Sequence, residues 1–404
     1  MKILFVNEYI GTPYHGMVYR QYYLAREMVA RGHEVWIVTA SNSHLLLAPP
    51  KVNKDLTHEV VDGINYLWVR MPYYKYSKSF SRIRNMFLFM IKLLRLDISR
   101  FVVPDFIIAS SPSVFSIKIA LKWKKRTKAK VVFEVMDIWP LTLTEFTCLS
   151  KLNPLIRYMK VCEKAAYSNA DAVVSVLDGF ARYLSENGYD VKAYACIPNG
   201  VYLDEASFET NTDSNDKLSK IDCGKITVGY VGTLGIANSL NSFINVALSL
   251  KEDKRFQFVL VGDGNERSRL EALANGAENI VFTGSVSRSD VKVVYEKLDI
   301  CYFGVLKKKV FEYGISPTKL PDYMYSGKPV IGAVSNYTDL IEHSRCGITV
   351  EAENVEEIVS AIMKLANDKE ACTEMGARGR SYVTEKLSYH ALADRFIEFL
   401  LACK

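Results

Sequence analysis

The segment Asp299–Gly332 constrains the architecture of this chain more than any other. Asp299-Ile-Cys-Tyr-Phe303 is a short apolar run of strand type. After Ser316-Pro317, residues Lys319 to Ser326 follow helical spacing, with Leu320 and Met324 on one face. Gly327 supplies a left-handed stop, Pro329 forbids continuation, and Pro329-Val-Ile-Gly332 opens the next strand. Strand, Gly/Pro loop, helix, Gly, strand is a βαβ unit, and sheets built from such units bind ligands at the carboxyl ends of their strands. A helix amino terminus placed there offers N–H groups and a positive dipole end to a phosphate. Lys319 lies in the first turn, where a cation disfavours the helix unless an anion is nearby. Asp322 is placed to accept hydrogen bonds from sugar hydroxyls. An ordinary crossover with surface charges accounts for the same residues equally well.

The same grammar runs through the chain. Lys2-Ile-Leu-Phe-Val6 reads as a buried strand, residues 7–17 as a loop with Gly11, Pro13 and Gly16, Val18 to Arg31 as an amphipathic helix, and His33 to Thr39 as a second strand. No Gly-x-Gly-x-x-Gly follows the first strand, which argues against a nicotinamide cofactor. Lys130 to Met136 reads as a central strand ending in Asp137-Ile-Trp-Pro140. Glu134 and Asp137 thereby reach a carboxyl end, where acids do chemistry, although Asp137 also suits a helix cap. A helix over 152–169, a strand over 171–176 and a helix to about Gly188 follow, and Ala195–Val201 closes the first half.

Residues 204–220 are polar and rich in turn formers, so they read as a linker. Lys225–Val231 then restarts the pattern with a strand, the glycine loop Gly232-Thr-Leu-Gly235 and a helix from Asn238 to Leu250. Phe256–Val261 with Gly262-Asp-Gly264, and Ile280–Thr283 with Gly284, repeat it. A chain of 404 residues exceeds one ordinary core, so two α/β domains are expected. They are residues 1–203 and residues 204–387, each doubly wound, with a final amphipathic helix at 388–404 packing back onto the first. A cleft between two such units is the default site.

Charge divides unevenly. Residues 1–200 hold 27 Lys/Arg against 16 Asp/Glu, and residues 201–404 hold 24 against 29. In the basic half, residues 71–101 interleave Tyr73, Tyr74, Tyr76, Phe80, Phe87, Phe89 and Met90 with Lys75, Lys78, Arg82, Arg84, Lys92, Arg95 and Arg100. Ser81–Leu96 reads as a helix suited to an anionic membrane surface, and Lys118–Lys130 as a second basic helix. A solvated charged face is the plain alternative for each. No nucleic-acid-reading module is visible. The eight cysteines are scattered without Cys-x-x-Cys, as in reduced cytosolic proteins, and the six histidines form no metal-spaced cluster. No secretory signal opens the sequence, and no run of about 18 apolar residues could span a bilayer.

Ile197-Pro-Asn-Gly-Val201, Val261-Gly-Asp-Gly264, the loop after the first strand and the segment around Lys319 occur in an order that resembles family-4 retaining glycosyltransferases of the GT-B fold. The resemblance covers nearly the whole chain. Tyr14-His-Gly-Met-Val-Tyr-Arg20, Phe133–Pro140 and Gly314–Met324 are similar to bacterial transferases that add N-acetyl-L-fucosamine in O-antigen and capsule synthesis. The family's Glu-x7-Glu motif ends in a ribose-binding carboxylate followed by Gly, matched by Asp322 and Gly327; its first Glu falls on Gly314, with Glu312 two positions away. The family's active-site His falls on Met136, and its Arg and Lys diphosphate clamp on Thr233 and Asn238. Lys319, Arg20 and the backbone N–H groups near Gly16 and Ser316 are the expected replacements.

The resemblance implies the following function. A sugar such as an N-acetylated, deoxy hexosamine passes from a UDP-sugar to a polyprenyl-diphosphate-linked saccharide. The enzyme is cytoplasmic and peripheral at the inner leaflet, with no cofactor, no metal and no nucleic-acid partner. Charge developing on the departing diphosphate calls for preorganised N–H groups and cations. Asp137, Glu134 and His15 are the candidate catalytic residues that orient sugar and acceptor. Gly16, Arg20, Thr233, Asn238, Gly264, Ser316, Lys319 and Asp322 are the candidate donor-binding residues. His15 equally suits a locally bonded loop histidine. The chain lacks Asp-x-Asp, which disfavours a metal-bridged diphosphate. A nucleotide-sugar epimerase of the same fold and a non-catalytic GT-B partner subunit are the rival readings.

Overall fold

A computed structural model describes the chain except for residues 18, 75–79, 148, 204–216, 288–289, 336–339 and 404. The chain divides into two compact units: residues 1–198 with 389–404, and residues 199–388. Most of the expected linker lies outside the described residues, as do Lys75, Tyr76 and Lys78.

The first unit is built on eight strands: β1 (Lys2–Val6), β2 (Glu34–Ala40), β3 (Leu56–Val61), β4 (Ile64–Val69), β5 (Phe106–Ser110), β6 (Lys130–Val135), β7 (Ala172–Ser175) and β8 (Tyr194–Cys196). Their order is β3-β4-β2-β1-β5-β6-β7-β8, and all neighbours are parallel except the β3–β4 pair. Ile3, Leu4, Phe5 and Val6 are wholly buried, as expected of a strand covered on both faces. The β3–β4 hairpin turns at Asp62-Gly63, both at positive φ, the conformation that a two-residue hairpin loop requires. The strand order reverses between β1 and β5, which puts a topological switch point at the loops that follow them. Asn7 ties those loops together through its Nδ2, which donates to the carbonyls of Ser110 (3.3 Å) and Ser111 (2.9 Å). The carboxyl-terminal helix Tyr389–Ala402 packs on helix Arg20–Ala30 through the stacked rings of Tyr23 and Tyr389 and the Arg31–Asp394 ion pair at 2.5 Å.

The second unit holds six parallel strands: β9 (Ile226–Val231), β10 (Phe256–Val261), β11 (Ile280–Gly284), β12 (Ile300–Gly304), β13 (Val330–Ala333) and β14 (Gly347–Val350), in the order β11-β10-β9-β12-β13-β14. Its switch point lies between β9 and β12. Phe243, Phe258, Leu260, Tyr302 and Ile331 form the centre of its core. Helix Lys319–Ser326 ends at Gly327 with φ 76°, as the Gly–Pro spacing predicts. Both units are therefore Rossmann-like α/β domains with parallel sheets.

Candidate functional site

The loop after β9 and the helix after β12 build a cradle in the second unit. Gly262 and Gly264 let two glycine loops touch: a Cβ on Gly262 would lie 2.0 Å from the Gly232 carbonyl oxygen, and one on Gly264 2.3 Å from that of Leu234. Above these loops sits the ammonium of Lys319. Its Nζ donates to Tyr230 Oη (2.7 Å) and to Asn238 Oδ1 (2.8 Å). Tyr230 Oη and Asn238 Nδ2 each donate to the Thr233 carbonyl (2.7 and 3.0 Å), which turns their acceptor atoms toward the lysine. The Nζ also lies 4.4 Å from the Tyr230 ring centroid and 6.0 Å from that of Phe303.

Among the described residues no carboxylate pairs with this ammonium. Although part of the Lys319 side chain reaches solvent, its charged end is enclosed, and desolvation alone lowers its pKa from 10.5 to about 7. Thr318 makes no side-chain cap at the start of the same helix. A desolvated cation held by neutral oxygens beside an uncapped helix start has the chemistry to accept an anion. Asn238, where the resemblance puts the family's clamp lysine, instead holds the lysine of another element. Asp322 lies in the first turn of the helix, and the Thr233 side chain is exposed. Ser316 is occupied locally: its Oγ accepts from Asn199 N (2.8 Å), and its carbonyl accepts from Asn199 Nδ2 (2.5 Å).

The first unit carries a separate recess of about 170 Å³ at its switch point, walled by Asn7, Tyr9, Gln21, His44, Leu45, Arg82, Pro112, Met136 and Asp137. Asp137 is solvent-accessible, but the protein packed around the recess desolvates its carboxyl and raises its pKa, against the opposing charge of Arg82. It caps no helix, because the next one, Leu141–Phe146, takes Pro140 as its cap. Arg82 Nε donates to Tyr9 Oη (3.0 Å), and the guanidinium lies 5.4 Å from the Tyr9 ring centroid. His44, bonded to Tyr74 Oη at 3.1 Å, is held below its ordinary pKa by burial and then by Arg82. Behind Tyr9, the nearly buried Glu8 is pushed by desolvation from 4.5 to about 7, with the Tyr9 hydroxyl and Arg82 pulling the other way.

Several expectations need correction here. Arg20 is buried, and its guanidinium is committed: Nε donates to Glu134 Oε1 (3.0 Å), Nη1 to the Pro198 carbonyl (2.5 Å) and Nη2 to that of Ile197 (2.7 Å). It locks Ile197-Pro198 to the sheet and offers no clamp for a phosphate. Glu134 is wholly buried, with Oε1 on Arg20 and Oε2 accepting from Gln21 Nε2 (2.9 Å) and Ser110 Oγ (2.6 Å). It positions these neighbours and does not face a substrate. The Gly16 N–H donates to the Thr12 carbonyl at 2.8 Å, so it too is taken. His15 pairs its Nδ1 with Thr12 Oγ1 (2.8 Å) and packs edge-on against Trp68, the locally bonded alternative.

The basic helix, Phe80–Arg95, also differs from expectation. Phe89 and Leu93 belong to the core, Arg82 lines the recess, and Lys92 pairs with Asp55 at 3.0 Å. Its outward face is Ile83, Arg84, Ile91 and Arg95. On helix Ser116–Thr127, Lys124 pairs with Asp171 (2.5 Å), and Lys118 Nζ donates to Tyr158 Oη (3.0 Å). Among the described residues no helix is long and apolar enough to cross a membrane.

Sequence reasoning missed Tyr230 and Phe303 beside Lys319, and Glu8, Tyr9, Gln21, His44 and Arg82 in the first unit. The position of Glu8-Tyr9 directly after β1, at the switch point, was an available signal.

Two Rossmann-like α/β domains built on parallel sheets are the architecture of the GT-B class. Residues 14–205 match the profile of Glycosyltransferase Family 4, and residues 225–368 that of Glycosyl transferases group 1. The chain thus belongs to the GT-B glycosyltransferases, with its two halves in these families. It is 27% identical over 150 residues to a GDP-mannose-dependent alpha-(1-6)-phosphatidylinositol monomannoside mannosyltransferase of Mycobacterium tuberculosis, a match covering 35% of this chain and 38% of the relative. It is 22% identical over 246 residues to a poly(ribitol-phosphate) alpha-N-acetylglucosaminyltransferase of Staphylococcus aureus, covering 59% of this chain and 46% of the relative. The matches therefore span less than half the length of either relative. The Anabaena Alr3699/HepE structure in complex with UDP shares the fold, with a TM-score of 0.65, 14% identity and full coverage of both chains.

Proposed function

We propose that this protein is a retaining glycosyltransferase whose second unit holds a nucleotide-diphosphate sugar. The observation that carries this reading is the enclosed Lys319 ammonium, whose partners among the described residues are all neutral and which sits beside the two interlocked glycine loops. A diphosphate would supply its missing counter-charge. Asp322 is assigned to the ribose, and Thr233, Asn238, Gly264 and Ser316 to shaping the cradle. In the reaction, the bond from the sugar C1 to the diphosphate oxygen breaks as C1 bonds to an acceptor oxygen on the same face. The acceptor proton passes to the departing phosphate. Lys319 stabilises the charge that develops there, and Asp137 orients a hydroxyl. No cofactor or metal is assigned a role.

The donor is assigned as a UDP-linked N-acetylated hexosamine such as N-acetyl-L-fucosamine, and the acceptor as a polyprenyl-diphosphate-linked saccharide of a bacterial surface polysaccharide. The motif resemblance supports this, as do the N-acetylglucosaminyl transfer of the Staphylococcus relative and the UDP bound by the Anabaena protein. Attachment to an anionic inner leaflet rests on Arg84 and Arg95 beside the exposed Ile83 and Ile91. The test incubates the protein with a panel of UDP-sugars and GDP-mannose, with and without a lipid-diphosphate saccharide, and follows nucleotide release and product anomer by NMR. Acceptor-dependent release with retained configuration is expected. Epimerised donor without acceptor, or no turnover of any donor, would replace the reading with one of its rivals.

A further inference from the structure

Ile197-Pro-Asn-Gly-Val201 contains a residue whose bonds bear on the cradle. Asn199 is 6% exposed and grips the residue that leads into helix Lys319–Ser326: its N–H donates to Ser316 Oγ (2.8 Å) and its Nδ2 to the Ser316 carbonyl (2.5 Å). A carbonyl only accepts, so the amide nitrogen must face Ser316, and Oδ1 is left buried with no partner among the described residues. An aliphatic side chain would avoid the cost of that unbonded oxygen, so the amide is explained by the bond it makes and not by packing. A tether fixes a loop only if its own end is fixed, and the chain on both sides of Asn199 is held. The carbonyls of Ile197 and Pro198 accept from the buried Arg20 guanidinium at 2.7 and 2.5 Å, and the Val201 N–H donates to the Leu387 carbonyl at 3.0 Å.

The helix that carries Lys319 is pinned elsewhere only at its middle and its end. Tyr323 Oη accepts from Val231 N (2.8 Å) and donates to the Val231 carbonyl (3.1 Å), while Arg380 donates to the carbonyls of Tyr325 (2.8 Å) and Ser326 (3.1 Å). At its start the Pro317 carbonyl accepts from Leu320 N (3.2 Å), directly after the clasped Ser316. Lys319 lies four residues before Tyr323, roughly 6 Å along the axis, so a tilt of about 10° about that pin carries it about 1 Å. Its Nζ reaches its two acceptors at 2.7 and 2.8 Å, and such a shift takes it past the range of a hydrogen bond. We propose that Asn199 is a positioning residue for the donor cradle: by clasping Ser316 it fixes the start of helix Lys319–Ser326 and so holds the Lys319 ammonium on Tyr230 and Asn238. The word donor rests on the glycosyltransferase reading; the clasp does not.

The free protein gives the first readout. Protein labelled with 13C-lysine, its Lys319 signal assigned through Lys319→Met, is titrated with pH, and the wild-type midpoint should lie at about 7. Asn199→Ala should move that midpoint toward 10.5, because a released ammonium regains solvent. Asn199→Leu keeps the volume, removes the unbonded oxygen and still lacks the donor, so it should shift Lys319 equally and covers the case where Asn199→Ala does not fold. Asn279 is the control: a buried amide at the opposite edge of the same sheet, just before β11, with Nδ2 on the Ala247 carbonyl (2.7 Å) and Oδ1 likewise without a partner among the described residues. Asn279→Leu should leave the Lys319 midpoint in place whatever it does to the melting temperature. Calorimetry at pH 6 should then show UDP-N-acetylglucosamine binding about tenfold more weakly to both Asn199 variants and unchanged in Asn279→Leu. A wild-type midpoint near 10.5, a midpoint or an affinity unchanged in the folded Asn199 variants, or an equal shift in Asn279→Leu would overturn the proposal. If the wild type binds no UDP-N-acetylglucosamine, the donor assignment falls and the titration still decides the clasp.

Discussion

Replacing Lys319 by methionine should abolish a proton uptake that accompanies donor binding. In the free protein Lys319 titrates at about 7 because its ammonium is desolvated without a counter-charge. A diphosphate beside it favours the charged form and moves the pKa back toward 10.5. The gap between 7 and 10.5 corresponds to roughly 5 kcal/mol, an upper bound on what a bound anion can return through this group. At pH 8 about nine in ten molecules hold Lys319 neutral, so each binding event takes up about 0.9 proton; at pH 6 it takes up about 0.1. Above pH 7 the affinity should therefore fall about tenfold per pH unit until the pKa of the bound state is reached.

The assay is calorimetry of UDP-N-acetylglucosamine binding at pH 8 in two buffers that differ in ionisation enthalpy. The diphosphate of a nucleotide sugar has no proton that titrates near neutrality, so any uptake belongs to the protein. Lys319→Met should bind about 1–3 kcal/mol more weakly at pH 6, as for a lost charge-assisted hydrogen bond, and show no uptake at pH 8. Stability gives a second check of the same reasoning. A lysine whose folded pKa is depressed destabilises fully below pH 7, and the penalty fades as pH rises toward 10.5. Lys319→Met should accordingly melt above wild type at pH 6 in the absence of nucleotide, by a margin that shrinks at pH 9. Equal uptake in wild type and variant would refute the assignment.

Glu8 has the opposite sign. Its folded pKa is raised from 4.5 to about 7, so its burial penalty is absent below pH 4.5 and complete above pH 7. Glu8→Gln should stabilise the protein by up to about 3 kcal/mol at pH 8 and by nothing at pH 4.5, read as the difference between melting curves. Glu134→Gln should strand the buried Arg20 guanidinium and destabilise by about 3–5 kcal/mol, visible in urea unfolding; a loss under 1 kcal/mol would mean the pair is not the lock described. Arg84→Glu with Arg95→Glu should reduce sedimentation with anionic vesicles by at least about 2 kcal/mol, and more so at low salt. Partitioning equal to that of wild type would leave the outward face of Phe80–Arg95 as plain surface.

How far the sequence announced this molecule depends on the range of the interaction involved. Elements set by local chemistry were legible: the run of strand, glycine loop and helix, and the stop at Gly327. The β3–β4 hairpin was missed although Asp62-Gly63 announced it locally. What stayed hidden was pairing at long range. Arg20 and Glu134 are 114 residues apart, and each alone has the residue type of a functional group; only their contact shows that they satisfy one another. The same holds for Lys92 with Asp55, and for Arg82, whose recess needs Tyr9 from another element. Lys319 escapes this cancellation because the oxygens it reaches, on Tyr230 and Asn238, carry no charge. In the second unit the fold thus leaves one enclosed cation whose described partners are all neutral, and that is the group on which the donor proposal rests.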